Sequence, residues 1–529
     1  MKPQEYGLEH DEWRPHQLEA IKWAEESKGT LIIEAPTGSG KTALARALCN
    51  KRRGVALVRT KNLQQTNYQD SYDFVALFGR GNYACPHPDA DYEATAEQCL
   101  YDEHRSSQCP VYGSCGYYQR RAQAMASSRA ALNYPYWLTT YRMWPAPQLL
   151  VCDEAHQLPD ITLDWAGIHI GEHQRREWEL PMFPILKSSN IKSALIKSEP
   201  VEDRALDWLR RSSSIVSAKV QRMEVLSKSD KEAMKKLLDG QRLLSKIDST
   251  IDALNSSPDD WYIVSGPDAS TFRGEKIRAF VARPLTAKHH FPSYFMSEEW
   301  QLLIMSATIG NPEVFAAELG IQDFNAIAIP SVWSPSRRPI HELDVPRLGQ
   351  KATDSAWNKQ ADSIAAAIHS VPEDWHGIIH TTSIAEAPKL AARLARRGLA
   401  DRVFVPRHAS TTSMGLEWEA RKQFHKGSLM ICWAFWEGYD GLEEKINIAA
   451  KVPYPYLGDP YEIQRRNYNG KFFLQRAAWQ LEQGLGRTRR GREEDYDTDE
   501  ESRGLVAIAD GAWRQIRNYL SPAFMEAVI

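Results

Sequence analysis

The sequence predicts an α/β protein with two parallel-sheet blocks, and three observations carry that prediction. An apolar run, Thr30-Leu31-Ile32-Ile33-Glu34, passes through Ala35-Pro36-Thr37-Gly38-Ser39-Gly40-Lys41-Thr42 into the Ala/Leu-rich segment Ala43 to Leu48. That is the strand–loop–helix context of a phosphate-binding loop. A second buried-type strand, Gln148 to Cys152, ends in Asp153-Glu154-Ala155-His156. Beyond Pro330 strand and helix patterns alternate again, from Gly377-Ile378-Ile379-His380 to Gly504 through Asp510, as in a second parallel block.

Length and composition set the frame. At 529 residues the chain exceeds what one core holds, and about 150 residues per domain gives three or four domains. Hydrophobic residues make up 43% and charged residues 25%, as in ordinary globular proteins. The first residues lack the apolar core of a signal peptide and no apolar run is long enough to span a bilayer, so the reading is an intracellular protein with no membrane partner. A net charge of −3 excludes a blanket polycation, so nucleic-acid contact would need local basic grooves.

In chain order, Arg14-Pro15-His16-Gln17 opens a helix about twenty residues before the loop, and a Gln there offers the donor and acceptor that read an adenine edge. Gly38 and Gly40 let the loop curl its N–H groups inward, Lys41 reaches the β and γ phosphates, and Thr42 is placed to ligate Mg²⁺. After the strand Val55 to Val58, Lys61 and Gln64 lie at a parallel-strand exit, where ligands bind in open sheets. They are candidate contacts to a nucleic-acid backbone, with a solvated helix start as the alternative.

Cys85, Cys99, Cys109 and Cys115, four of the seven cysteines, fall in a Gly/Pro/Asp/Tyr-rich segment without the periodicity of a core. Four thiolates suit zinc or an iron–sulfur cluster, and with no Cys-x-x-Cys pair the spacing leaves both open. Cys49, Cys152 and Cys432 sit in apolar runs and read as packing residues. A helix is predicted from Tyr117 to Ala131. Asp153 and Glu154, delivered by a buried strand, suit a Mg²⁺ shell and the orientation of an attacking water.

From about Gly171 to Ala253 the pattern is helical. Leu237, Leu244 and Ile251 recur every seven residues beside Ile247 and Leu254, with Gly240 as a possible break. Strand character returns at Ala279 to Ala282 and at Leu302 to Met305, which runs into Ser306-Ala307-Thr308. In the last block Trp436-Glu437-Gly438-Tyr439-Asp440 forms an acidic turn. A helix from Arg476 to Gln483 leads into Gly484-Leu485-Gly486-Arg487-Thr488-Arg489-Arg490. Arg487 and Arg490, three apart, point the same way if that turn is helical, and a guanidinium fork suits a γ-phosphate. A nucleotide held between two such blocks would make their separation depend on hydrolysis.

Taken together, the phosphate loop, Asp153-Glu154-Ala155-His156, Ser306-Ala307-Thr308 and Gln483-x-x-Gly486-Arg487-x-x-Arg490 resemble a superfamily 2 helicase of DEAH type. Further motifs resemble the iron–sulfur helicases of the XPD/DinG family. These are Arg14 to Gln17, Arg59 to Gln64, Gly79-Arg80-Gly81-Asn82-Tyr83 before Cys85, Asn133-Tyr134, Arg338-Pro339-Ile340, Trp436 to Asp440 and Pro453-Tyr454-Pro455. The resemblance covers almost the whole chain. It implies two RecA-like P-loop motor domains, with a Cys-rich cluster domain (81–120) and a helical arch (169–275) inserted in the first. Motor domain 1 is then 1–80, 121–168 and 276–330, and motor domain 2 is 331–529.

The resemblance implies further roles. Arg14, Gln17, Gly38, Gly40, Lys41 and Thr42 would hold ATP, Thr42 and Asp153 would hold Mg²⁺, and Glu154 would serve the attacking water. His156, Ser306 and Thr308 would couple hydrolysis to domain movement. Glu437, Gly438 and Asp440 would link nucleotide to the DNA groove, while Gln483, Arg487 and Arg490 complete the ATP site. The four cysteines would hold a [4Fe–4S] cluster, with zinc as the alternative. The implied activity is ATP-dependent unwinding of DNA, moving 5′ to 3′ on single-stranded or forked substrates. An ATP-driven translocase that separates no strands and an ATPase switch subunit of a nucleic-acid complex are the rival readings.

Overall fold

The computed structural model describes residues 1–14, 16–36, 38–87, 93–100, 109–187, 201–226, 231–272, 275–331, 333–349, 351–408, 410–436, 444–486 and 504–529. The first domain starts with strands β1 (Thr30–Glu34), β2 (Gly54–Val58), β3 (Val75–Ala76), β4 (Arg129–Asn133) and β5 (Leu149–Cys152). An insertion supplies β6 (Ile168–Gly171), β7 (Leu186–Lys187), β8 (Trp261–Phe272) and β9 (Glu275–Pro284). The first domain resumes with β10 (Gln301–Ser306) and β11 (Phe324–Ala328). The second domain holds β12 (His341–Glu342), β13 (Gly377–His380), β14 (Val403–Phe404), β15 (Leu429–Cys432), β16 (Ile446–Ala449) and β17 (Leu505–Ile508).

The first sheet is parallel throughout, in the order β11-β1-β10-β5-β2-β4-β3. Its inner strands β1, β10, β5 and β2 are buried on both faces, and their alternate residues enter two different cores. Ile32, Val55, Leu57, Leu150, Cys152 and Ile304 lie in one, while Leu31, Ile33, Ala56, Val58, Val151 and Met305 lie in the other. A two-residue period with both faces apolar is what a parallel sheet covered by helices requires. The second sheet, β12-β17-β16-β13-β15-β14, is also parallel. Cys49, Cys152 and Cys432 are fully buried in these cores, the packing role read from the sequence. Among the described residues no helix is long and apolar enough to cross a membrane.

The insertion read as a helical arch is α+β. Two helices, Val201–Leu226 and Lys231–Ser256, pack against an antiparallel sheet ordered β6-β9-β8-β7. Trp208 stacks on Phe280 of β9, ring centroids 4.6 Å apart, and Leu237, Ile247 and Leu254 are buried in the same core. The β8–β9 hairpin carries this unit to Pro284, past residue 275, because its two strands pair along most of their length. Gly240 does not break its helix. A Cβ there would come within 2.4 Å of the Trp178 ring, so the glycine makes room for an indole that is 2% exposed.

Two other readings are corrected. The helix expected from Tyr117 to Ala131 stops at Ala126, since residues from Arg129 on pair with β2 and β3. Gln64 is fully buried and donates to Leu77 O at 2.8 Å and Ala131 O at 2.6 Å. It satisfies sheet-edge carbonyls and does not face a nucleic acid. Lys61 is exposed and donates to Asn82 Oδ1 at 2.6 Å.

The two parallel-sheet domains meet through buried charge. Arg465, on the helix Pro460–Tyr468 of the second domain, is 5% exposed. It lies 2.9 Å from Asp160, 3.8 Å from Glu462 and 3.9 Å from Glu318. Asp160 and Glu318 belong to the first domain, and Asn469 of the second donates to Glu318 at 3.0 Å. A cation so deeply buried requires such a ring of carboxylates.

Candidate active site

Strand order assembles the site. β10 lies between β1 and β5, pairing Glu34 with Ser306 and Ile304 with Cys152. The carboxyl ends of three neighbouring strands therefore present the phosphate loop, Ser306 and Asp153-Glu154 side by side, the usual ligand edge of an open parallel sheet.

The loop leaves β1 with Ala35 N donating to Ser306 O at 2.8 Å. Gly38 (φ 87°) and Gly40 (φ 82°) adopt the left-handed conformation that turns the chain into the helix Lys41–Lys51, a region costly for residues with a Cβ. Lys41 Nζ rests on Ala35 O at 3.1 Å, across the mouth of the loop, and Thr42 follows it at the open helix N-terminus. Arg14 and Gln17 brace the loop from outside. Arg14 donates to Gly38 O, and Gln17 donates to Ser39 O at 2.8 Å while accepting from Arg14 N at 3.0 Å. Both ends of the Gln17 amide are thus engaged within the protein.

Asp153 is held from three sides. Tyr68 donates to its Oδ2 at 2.8 Å, Glu154 N donates to Oδ1 at 2.9 Å, and Tyr134 donates to its carbonyl at 2.7 Å. Burial, then the charge of Glu154, pushes the Asp153 carboxyl above the usual range, with Lys41 pulling the other way. A cation arriving there would restore the carboxylate. Glu154 has φ 51° and ψ 42°, a conformation uncommon for a non-glycine residue and concentrated at functional sites.

From this corner a hydrogen-bonded chain crosses to the second domain. His156 Nδ1 lies 2.9 Å from Ser306 Oγ and 3.6 Å from a Glu154 carboxylate oxygen. Gln483 Nε2, on the helix Gly470–Leu485, lies 2.6 Å from His156 Nε2 and 3.4 Å from Thr308 Oγ1. Ser306 Oγ also accepts from Thr308 N at 3.2 Å. The structure therefore brings together Lys41, Asp153 and Glu154, and separately His156, Ser306, Thr308 and Gln483, with Glu154 touching both sets. Thr37, Glu437, Gly438, Asp440, Arg487 and Arg490 lie outside the described residues.

Sequence reasoning missed Tyr68 and Glu34. Glu34 reads as the polar end of a strand, yet its Oε1 accepts from Ile309 N at 2.7 Å and Gly310 N at 2.9 Å. Burial raises the Glu34 carboxyl. Burial and the nearby Glu34 charge raise that of Glu482 from the second domain. No spacing rule marks either residue; only the strand order brings them to the site.

The four clustered cysteines are free thiols. Burial raises the Cys99 thiol first, and the charges of Cys85, Cys115 and Cys109 add to it, so the four are grouped. Cys115 is buried at the N-cap position of the helix Gly116–Ala126. Among the described residues no three His, Cys, Asp or Glu side chains converge closely enough to grip a metal ion. The donor set fits a thiolate-bound centre in kind and grouping, without a closed ligand shell.

The chain folds as two RecA-like α/β domains, an arrangement shared with solved helicase structures. Its fold is similar to a solved XPD helicase structure, with a TM-score of 0.52 and 15% identity over 95% of this chain and 97% of that one. In sequence it is 24% identical over 248 residues to the ATP-dependent DNA helicase YoaA of Haemophilus influenzae. It is also 24% identical over 222 residues to YoaA of Escherichia coli. These matches span 34% and 29% of this chain and 37% and 34% of the relatives, little more than a third of their length. No family model matches the chain.

Proposed function

We propose that this chain is an ATP-dependent DNA helicase that moves 5′ to 3′ on single-stranded DNA and separates duplexes. The observation that carries the reading is the Gln483–His156 hydrogen bond, which ties the second motor domain to the acidic corner beside the phosphate loop. A nucleotide that displaced this contact would change how the domains sit, which is how hydrolysis does mechanical work. The relatives named as ATP-dependent DNA helicases support DNA as the substrate.

In this reading Lys41 neutralises charge on the β and γ phosphates. Thr42 and Asp153 would hold Mg²⁺, which offsets the charge of the phosphate oxygens when bound. Glu154 orients a water and accepts its proton as the water oxygen attacks the γ-phosphorus. The bond to the bridging oxygen breaks, and ADP and phosphate leave. His156, Ser306 and Thr308 couple hydrolysis to domain movement, and Gln483, Arg487 and Arg490 complete the ATP site from the second domain. Glu437, Gly438 and Asp440 carry that response to the DNA groove. Cys85, Cys99, Cys109 and Cys115 would hold a [4Fe–4S] cluster that staples a segment poor in apolar core.

Incubating tailed duplexes with protein, ATP and Mg²⁺ tests this. A 5′-tailed duplex is expected to unwind and a 3′-tailed one not. ATP turnover without unwinding of either would favour the translocase reading, and turnover indifferent to single-stranded DNA would favour a switch subunit.

A further inference from the structure

The two residues after the Ser306-Ala307-Thr308 turn, Ile309 and Gly310, are gripped through their backbone from both motor domains. On the first-domain side Glu34 accepts from both Ile309 N and Gly310 N. On the second-domain side Gln475 Nε2 donates to Ile309 O at 2.7 Å, and Trp479 Nε1 donates to the same oxygen at 2.9 Å. Gly310 has φ 73°, and a Cβ on it would stand 2.0 Å from Tyr519 O, so the backbone here is pressed directly against the second domain. Gln475 is fully buried and Trp479 is 6% exposed. These are interior bonds in a low-dielectric setting and cannot be exchanged for water without cost.

Glu34 is also the residue immediately before Ala35, the first residue of the phosphate loop, and Ala35 N bonds Ser306 O. Any displacement of the loop base therefore moves the Glu34 carboxyl. Gln475 and Trp479 lie on the same helix as Gln483, two and one turns earlier. We propose that Glu34, Gln475 and Trp479 form a clamp on the Ile309–Gly310 peptide that couples the base of the phosphate loop to the second motor domain, with Glu34 as its positioning residue. This rests on the reading of the chain as an ATP-driven, DNA-activated motor. It adds to the His156–Gln483 contact a second path that starts beneath the loop and runs through Glu34 and Gln475, meeting the first only where the Trp479 ring stands edge-on to His156, centroids 6.1 Å apart. Two such paths make the second domain respond both to the loop and to the corner where Glu154 sits.

The test is steady-state ATP turnover, with and without single-stranded DNA, for wild type, Gln475→Leu, Trp479→Phe, Glu34→Ala, Glu34→Gln and the double variant Glu34→Ala/Gln475→Leu. Gln475→Leu is expected to keep basal turnover and the KM for ATP within about twofold while its DNA-stimulated increment falls about tenfold, the scale of one coupling contact. Trp479→Phe, which keeps the ring and loses the N–H, should fall in the same sense. Glu34→Gln, which retains an acceptor oxygen, should recover much of what Glu34→Ala loses. The double variant should be no worse than the poorer single one, since both break one path. Full DNA stimulation in folded Gln475→Leu, or losses that multiply in the double variant, would overturn the clamp while leaving the motor reading intact. If Glu34→Ala does not fold, Gln475→Leu and Trp479→Phe decide the matter alone. Wild-type turnover that ignores DNA would instead sink the motor reading and the clamp with it.

Discussion

Gln483 Nε2 stands 2.6 Å from His156 Nε2, residues 327 positions apart on different α/β domains. The other ring nitrogen, Nδ1, lies 2.9 Å from Ser306 Oγ and 3.6 Å from the Glu154 carboxylate. The orientation of the ring beside the acidic corner is thus set from the opposite domain.

Gln483→Leu should therefore lower kcat for ATP by roughly 10- to 100-fold, the range for losing a partner that orients a functional side chain. KM should change less, because the phosphate loop is untouched. Steady-state kinetics with ATP decides it. A variant with wild-type kcat would remove the contact from the mechanism.

Arg465 should be costly to remove. Arg465→Ala takes the guanidinium from buried Glu318 and from Asp160, leaving Arg476 to pair with Glu462 and Asp160, and breaking a buried pair costs about 3 to 5 kcal/mol. Thermal denaturation should show a clear loss. Arg466→Ala, one position on and exposed, should stay within about 0.5 kcal/mol of wild type.

Glu318 gives a pH dependence of defined sign. Burial pushes its carboxyl up to about 7, and the Arg465 guanidinium, shared with Asp160 at 2.9 Å, offsets this only in part. Between the ordinary carboxyl value of 4.5 and about 7 the folded state holds a proton that the unfolded chain has released. The contribution is fully present below the lower value and is lost as pH rises through the upper one. Melting temperature should accordingly fall more steeply from pH 5 to 7.5 in wild type than in Glu318→Gln. Parallel slopes would show that Glu318 is ionised throughout.

The cysteines make a metal prediction. Protein purified without oxygen should be brown, absorb near roughly 400 nm as thiolate-bound iron does, and lose iron in Cys99→Ser. Zinc without iron in the wild-type protein would reject the cluster.

What the sequence made legible was local. The phosphate loop, the strand before Asp153 and the clustered cysteines each declare themselves by residues close together in the chain. The alternation of Leu31, Ile32 and Ile33 between two cores follows from strand periodicity alone. What stayed hidden depends on strand order. Glu34 reads as a strand end until β10 is placed beside β1, and Gln64 reads as a surface residue until β3 and β4 close over it. Arg465 sits in a helix so charged that solvent exposure is the natural reading. The antiparallel sheet of the insertion was missed because β8 carries Ser265, Gly266, Pro267 and Asp268 in mid-strand, which blurs the apolar pattern.

The position of β1 also governs how the chain is made. Both of its sheet neighbours, β10 and β11, arrive from residues 301–328, after the cysteine segment and the whole α+β insertion. On a ribosome adding about 5 to 20 residues per second, β1 waits roughly a quarter of a minute to a minute with both edges unpaired. The insertion, complete by Pro284, emerges before the strands that finish the sheet around it. The residues of the phosphate loop are among the first made, and the ledge they stand on is among the last parts of the first α/β domain to form. During that interval the unpaired edges of Leu31, Ile32 and Ile33 are an aggregation hazard.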